Sequence, residues 1–245
     1  INELSESVAA LSSLDKKKTQ DFICRFPARS LFINREFKLQ EKLNFESCED
    51  YLSLKAITKP VGVSMVFTAY HTDAPASTYG HTLIRLEKAS SRPNSKKSAL
   101  LDYGVNYAAI TSESNPIIYA LKGLFGYYLG HTSITPFFYK IREYSDYESR
   151  DLWTYHLKFT QKEIDRLVAH LFELENVGFP YYYMTANCSE FMIDLLDIAK
   201  PSLHLKELLD YTTIPSETIK VLFNKDLVKS IDFRPSGRRK YLASK

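Results

Sequence analysis

Apolar residues Leu4, Val8, Leu11 and Leu14 recur at helical spacing, so residues 1–20 are predicted to form one amphipathic helix that includes the charged run Lys16-Lys17-Lys18. The next stretch, through residue 48, carries no clear period and reads as loop. Residues 49–56 suit a short helix that stops before Lys59-Pro60-Val61-Gly62, and residues 61–70 are β-branched and aromatic enough for a buried strand. After a polar loop over 71–77, residues 81–87 predict a strand. Residues 88–98, rich in Ser, Lys, Pro and Asn, predict a hairpin loop, and residues 99–107 return as its second strand. Folding that hairpin places Asn106 opposite the start of the first strand, beside His81.

Residues 119–144 mix Gly123, Gly126 and Gly130 with many aromatics, which reads as a packed meander or as the wall of an apolar groove. Residues 151–159 look like a strand. Thr160 and Glu163 form a T-x-x-E capping box, and Ile164, Leu167, Val168 and Leu171 then repeat at helical spacing. Tyr181-Tyr182-Tyr183 reads as a strand, followed by a helix from Cys188 through Met192 and Leu196 that Pro201 ends. Short helices over 205–209 and 219–223 are expected to cover the core. The chain is thus expected to be a single domain over 1–245. Residues 1–60 form an extension, 61–200 the core, and 201–245 a helical cover with a basic tail.

With 245 residues, 44% of them hydrophobic, the chain can bury a substantial core. A net charge of +3 is too mild for backbone binding of nucleic acid, so no nucleic-acid partner is expected. Arg238-Arg239-Lys240 is the one local excess of charge; a solvated tail or contact with anionic lipid headgroups both fit it. No apolar run is long enough to cross a bilayer. The sequence starts at Ile1 rather than Met, as it would after removal of an export signal or at a cloned boundary.

Three cysteines divide into two roles. A Cys24–Cys48 bridge would staple a segment with little core of its own and suit an oxidising compartment; two free thiols are the alternative reading. Cys188 is then the odd thiol. It opens a helix, where amide N–H groups and the helix dipole favour the thiolate. An inert buried thiol is the bland reading, but Asn187 is placed to cap the helix and Ser189 begins its first turn. His81 is the candidate base and Asn106 the candidate orienter of its ring, giving a Cys-His-Asn constellation. Tyr79, Asn187 and Ser189 are the candidate substrate contacts, Tyr79 as a further oxyanion donor. There is no CxxC, HxxxH or HxH for zinc, no G-x-S-x-G elbow and no phosphate-binding loop, so no metal or cofactor is expected.

Five segments in order, Cys24-Arg25-Phe26-Pro27-Ala28-Arg29, Ser77-Thr78-Tyr79-Gly80-His81-Thr82-Leu83-Ile84-Arg85-Leu86, Tyr103-Gly104-Val105-Asn106-Tyr107, Arg150-Asp151-Leu152-Trp153 and Asn187-Cys188-Ser189, resemble the Lnb N-terminal periplasmic domain family across residues 20–205. The order of histidine strand, polar strand and Asn-Cys helix also resembles the permuted NlpC-like branch of the papain-type fold, which includes lecithin retinol acyltransferase. The resemblance implies an α+β fold, a permuted papain-like antiparallel sheet packed against helices with the nucleophile on one of them. It further implies a periplasmic or envelope enzyme that passes an acyl group through a Cys188 thioester. The partner would be a lipid or acylated substrate, with a lipoprotein as acceptor and peripheral membrane contact. Hydrolysis, a peptidase or amidase acting on peptidoglycan, and a non-catalytic envelope binder are the competing expectations.

Overall fold

The computed structural model describes residues 2–39, 43–70, 79–89, 98–111, 113 and 115–245. In chain order the elements are α1 (Asn2–Leu11), α2 (Lys16–Arg25), α3 (Pro27–Glu36), α4 (Glu49–Thr58), β1 (Pro60–Thr68), β2 (His81–Lys88), β3 (Tyr103–Ala109), α5 (Pro116–Leu124) and β4 (Tyr128–Pro136). They continue with α6 (Phe137–Ile141), β5 (Leu152–Leu157), α7 (Gln161–Glu173), β6 (Gly178–Tyr181), α8 (Cys188–Ala199), α9 (Pro215–Asn224), β7 (Val228–Arg234) and α10 (Gly237–Ala243). The strands form one seven-stranded sheet in the order β6-β4-β3-β2-β1-β5-β7. Every neighbouring pair is antiparallel. The fold is α+β.

Alternation sets the layers. In β1, Val63 and Met65 face α7 and α8, joining Ile84 and Leu86 of β2, Val105 of β3 and Ile164, Leu167, Met192 and Leu196 of the helices. The intervening positions Val66 and Leu83 point the other way and are covered by Phe137, Ile141, Tyr144 and Leu152. A third apolar cluster, Leu11, Ile23, Ile33, Cys48, Tyr51 and Ala169, seats the N-terminal helices on α7. The disulfide Cys24–Cys48 closes that region.

Several expectations need correction. The single helix over 1–20 is two: Asp15 accepts from the N–H groups of Lys17 and Lys18 and starts α2 afresh, leaving Leu14 in the break. The stretch expected as loop holds the second half of α2 and all of α3, which Pro27 opens at its first turn. The second hairpin strand begins at Tyr103 rather than 99, because Asp102 is drawn into the core by Arg85 at 2.6 Å and by the Lys88 N–H at 2.9 Å. Of the tyrosine run, only Tyr181 belongs to a strand. The C-terminal cover is not wholly helical, since β7 pairs with β5 along most of its length. The capping box is as expected, with Glu163 accepting from the Thr160 N–H at 2.7 Å. The expected loop over 71–77 and the tip of the 88–98 hairpin lie outside the described residues.

Candidate active site

One end of the sheet collects the chemistry. The register pairs Thr68 of β1 with His81 of β2 and with Leu152 of β5, Leu152 with Arg234 of β7, and Tyr128 of β4 with Tyr181 of β6. The segment after β6 therefore leaves the sheet at the end where β2 begins, and after six intervening residues α8 starts at Cys188. Gly80 makes the entry into β2 possible. Its φ is +94°, and a Cβ there would lie 2.6 Å from the Thr68 carbonyl oxygen, so any other residue would move the strand or the histidine after it.

Asn187 fixes the other half. Its Oδ1 accepts from the N–H groups of Ser189 at 2.8 Å and Glu190 at 3.3 Å, while its Nδ2 donates to the carbonyls of Tyr183 at 3.1 Å and Thr213 at 2.8 Å. Ser189 is fully buried, with its Oγ 3.3 Å from Thr82 Oγ1 and 4.0 Å from the Cys188 sulfur. Both side chains tie the first turn of α8 to its surroundings. Cys188 is the free cysteine, and it is only 4% exposed.

His81 and Asn106 are brought together as the hairpin predicts. His81 Nε2 lies 2.6 Å from Asn106 Oδ1, and the imidazole also hydrogen-bonds the Cys188 side chain, which leaves Nδ1 as the nitrogen for the sulfur. Register refines the expectation: Leu83, not His81, is level with Asn106, and the histidine reaches the amide diagonally. The Tyr144 ring packs against the imidazole with centroids 6.0 Å apart.

Burial by itself would push the Cys188 thiol up, but the charge and hydrogen bond of His81, the Thr82 N–H and the Ser189 hydroxyl outweigh it and hold the thiol down at about 6. Burial pulls His81 down; the thiolate charge and hydrogen bond, with the Asn106 bond, overcome that and raise it above its ordinary value, against a smaller opposing push from Arg150. The two shifts have opposite sign and a common cause. They describe a thiolate–imidazolium pair that titrates as a unit.

Two further groups were not singled out by the sequence. The Tyr181 hydroxyl hydrogen-bonds both the backbone N–H and the side chain of Cys188, and burial followed by the thiolate charge drives its pKa far up. Tyr79 instead stands 60% exposed in the turn before Gly80. Arg150, buried beside Tyr144 at 5.1 Å from its ring centroid, donates to the Ala69 carbonyl at 2.6 Å and to Thr68 Oγ1, locking the end of β1. The Arg150-Asp151-Leu152-Trp153 motif was the only sequence signal for the arginine, and nothing in the tyrosine run marked Tyr181.

Around the sulfur the walls are aromatic. Tyr107 stacks on Phe191 at 3.9 Å and lies 5.6 Å from the Tyr181 ring, and Phe179 approaches Phe191 at 6.1 Å. Among the described residues, no cluster of His, Cys, Asp and Glu is arranged to hold a metal. A groove of about 1500 Å³ lies elsewhere, between the N-terminal helices, α7 and the later turns of α8, lined by residues such as Phe32, Leu52, His170 and Asp197; Cys188, His81 and Asn106 take no part in it. No helix among the described residues is long and apolar enough to cross a membrane.

No curated protein and no solved structure gives a significant match to this chain. A family model does: the Lnb N-terminal periplasmic domain matches residues 50–225, which span β1 to α9 and include every residue of the Cys-His-Asn site. The Cys24–Arg29 segment and the disulfide fall outside the match, as do β7 and α10. A periplasmic domain fits a chain with a disulfide. On that match the chain belongs to the Lnb N-terminal periplasmic domain family.

Proposed function

We propose that this chain is a cysteine acyltransferase or hydrolase of the cell envelope that works through a thioester on Cys188. The observation that carries the reading is the buried Cys188–His81–Asn106 line, with the thiol held down at about 6 in spite of its burial. At neutral pH the sulfur is then ionised and ready to attack. The permuted papain-like arrangement is supported by the same features: a nucleophile at a helix N-terminus, a base on the first residue of a strand, and an amide orienter on the next strand.

In the first half-reaction the thiolate attacks an ester or amide carbonyl, and the C–S bond forms. The oxyanion is stabilised by the Cys188 N–H and by the Tyr181 hydroxyl, which already sits against it, since the Ser189 and Glu190 N–H groups are held by Asn187. Collapse breaks the C–O or C–N bond, and His81 gives its proton to the leaving group. In the second half an amine, hydroxyl or water attacks the thioester while His81 removes its proton, and the thiolate leaves. Asn106 orients the ring throughout; Asn187 and Ser189 position the nucleophile.

A peptidase or amidase acting on peptidoglycan shares this chemistry but calls for a polar, open approach to the sulfur. Tyr107, Phe179, Tyr181 and Phe191 favour an acyl chain instead. A lipoprotein amine is the acceptor the family resemblance implies. A non-catalytic binder has no need of a depressed thiol. Incubation with candidate phospholipids and lipopeptides, followed by intact-mass measurement, should reveal an acyl adduct that hydroxylamine removes and that Cys188→Ala never forms. An adduct that persists in the alanine variant, or no adduct with any ester, amide or thioester donor, overturns the reading.

A further inference from the structure

α5 is an apolar helix turned outward. Ile117, Ile118, Leu121 and Leu124 lie on one face and all are exposed, Ile117 to 72%, and the chain continues into Phe125 at 66% and Tyr127 at 76%. Its inner face is small and aromatic: a Cβ on Gly123 would collide with the Tyr183 ring, and the Tyr183 N–H donates to the Gly123 carbonyl at 3.0 Å. The single cation of the helix, Lys122, is paired with Glu113 at 2.8 Å. Soluble surfaces seldom leave a contiguous apolar strip of this kind uncovered.

Topology places this strip beside the reacting sulfur. α5 leads into β4 and packs on the segment that carries Asn187 and Cys188, at the end of the sheet where β2 starts. β7 ends at the same end, and three residues later α10 begins there, held by the Ser236 N–H to Asp151 Oδ1 at 2.8 Å and by Arg239 to Asp151 at 3.0 Å. Residues 235–245 contain Arg238, Arg239, Lys240 and Lys245 with no acidic residue, and the cations, Tyr241 and Leu242 are all exposed. β4 and β7 are five strand positions apart, so the apolar and cationic patches flank the Cys188–His81 centre across about 24 Å.

We propose that this end of the molecule seats on an anionic lipid bilayer, with α5 and Tyr127 entering the headgroup region and α10 meeting lipid phosphates. Charge decides the occupant. In a face-to-face pair of copies, the α10 cations would meet either each other or the apolar α5, without a counter-charge; anionic headgroups supply one. Seating of this kind presents the mouth of the Cys188 site to the plane of the membrane. It goes beyond the thiol chemistry and is tested without it.

The test is cosedimentation of the full chain with vesicles of phosphatidylglycerol and phosphatidylethanolamine, beside vesicles of phosphatidylcholine alone. Binding to the anionic vesicles should be stronger and should weaken as salt is raised. Ile117→Ser with Leu121→Ser, and separately Arg238→Glu with Lys240→Glu, should each weaken it by about tenfold or more while the melting temperature stays put. Cys188→Ala should bind as the parent does, so lost thioester chemistry and lost docking are distinguishable. Three outcomes overturn the proposal: no binding by the parent chain, binding unchanged in both paired variants, or a concentration-dependent dimer that buries Ile117 and Leu121.

Discussion

Replacing His81 by alanine tests the pair at the centre of the site. Two of the influences that lower the Cys188 thiol, the imidazolium charge and its hydrogen bond, vanish together, whereas burial, which raises it, remains. The thiol should return from about 6 to its ordinary 9.0 or higher. Three units at 1.36 kcal/mol each are about 4 kcal/mol of preference for the thiolate, and the ionised fraction at pH 7 falls from about nine-tenths to about one-hundredth. The ultraviolet absorbance of the thiolate, followed against pH in parent and variant, reads this directly and is free of the change in nucleophilicity that complicates rates. In the parent, activity should rise through about pH 6 as the sulfur ionises, and fall again above the ordinary histidine range as His81 loses its proton. For stability the signs are opposed. The depressed thiol contributes above its unfolded value and its contribution is lost as pH falls through about 6, while the raised histidine contributes below 6.5 and its contribution is lost as pH rises through its folded value. A thiolate titration that is the same in both proteins refutes the pairing.

Tyr181→Phe removes the hydroxyl beside the Cys188 N–H and keeps the ring packing; kcat for thioester formation should fall by about 10²-fold with KM little changed, measured in single-turnover acylation. Changing Cys24 and Cys48 together to serine frees a loop with a sequence separation of 24. Chain entropy puts the cost at about 3.5 kcal/mol in urea unfolding. The Cys188 titration should not move, because the staple joins α2 to the start of α4, away from the sheet end that holds the site.

The site was legible where its signals are local. Asn before Cys at the head of a periodic helix, and a glycine before a histidine strand with a polar hairpin after it, needed no knowledge of distant contacts to be read. The central strands β1 and β2, and α7 with its capping box, were legible for the same reason. What escaped depends on partners far away in sequence. Tyr181 matters because β6 pairs with β4 and thereby aims one tyrosine of three at the head of α8. β7 is exposed along almost its whole length and lacks the strict alternation of a half-buried strand, so only its pairing with β5 reveals it. α3 has nearly uniform hydrophobicity around its axis, and Leu14 continued a stripe that Asp15 interrupts by capping a new helix.

A thiol held down at about 6 is also the one most easily lost to oxidants, and the periplasm, after which this domain family is described, holds enzymes whose task is to join thiols. Exchange with a protein disulfide requires a second sulfur to approach along the S–S axis with two peptide chains behind it. Cys188, only 4% exposed and set beside Tyr181 and Tyr107, offers no such line of approach. Its seclusion thus preserves in reduced form a thiol that its own acidity would otherwise condemn.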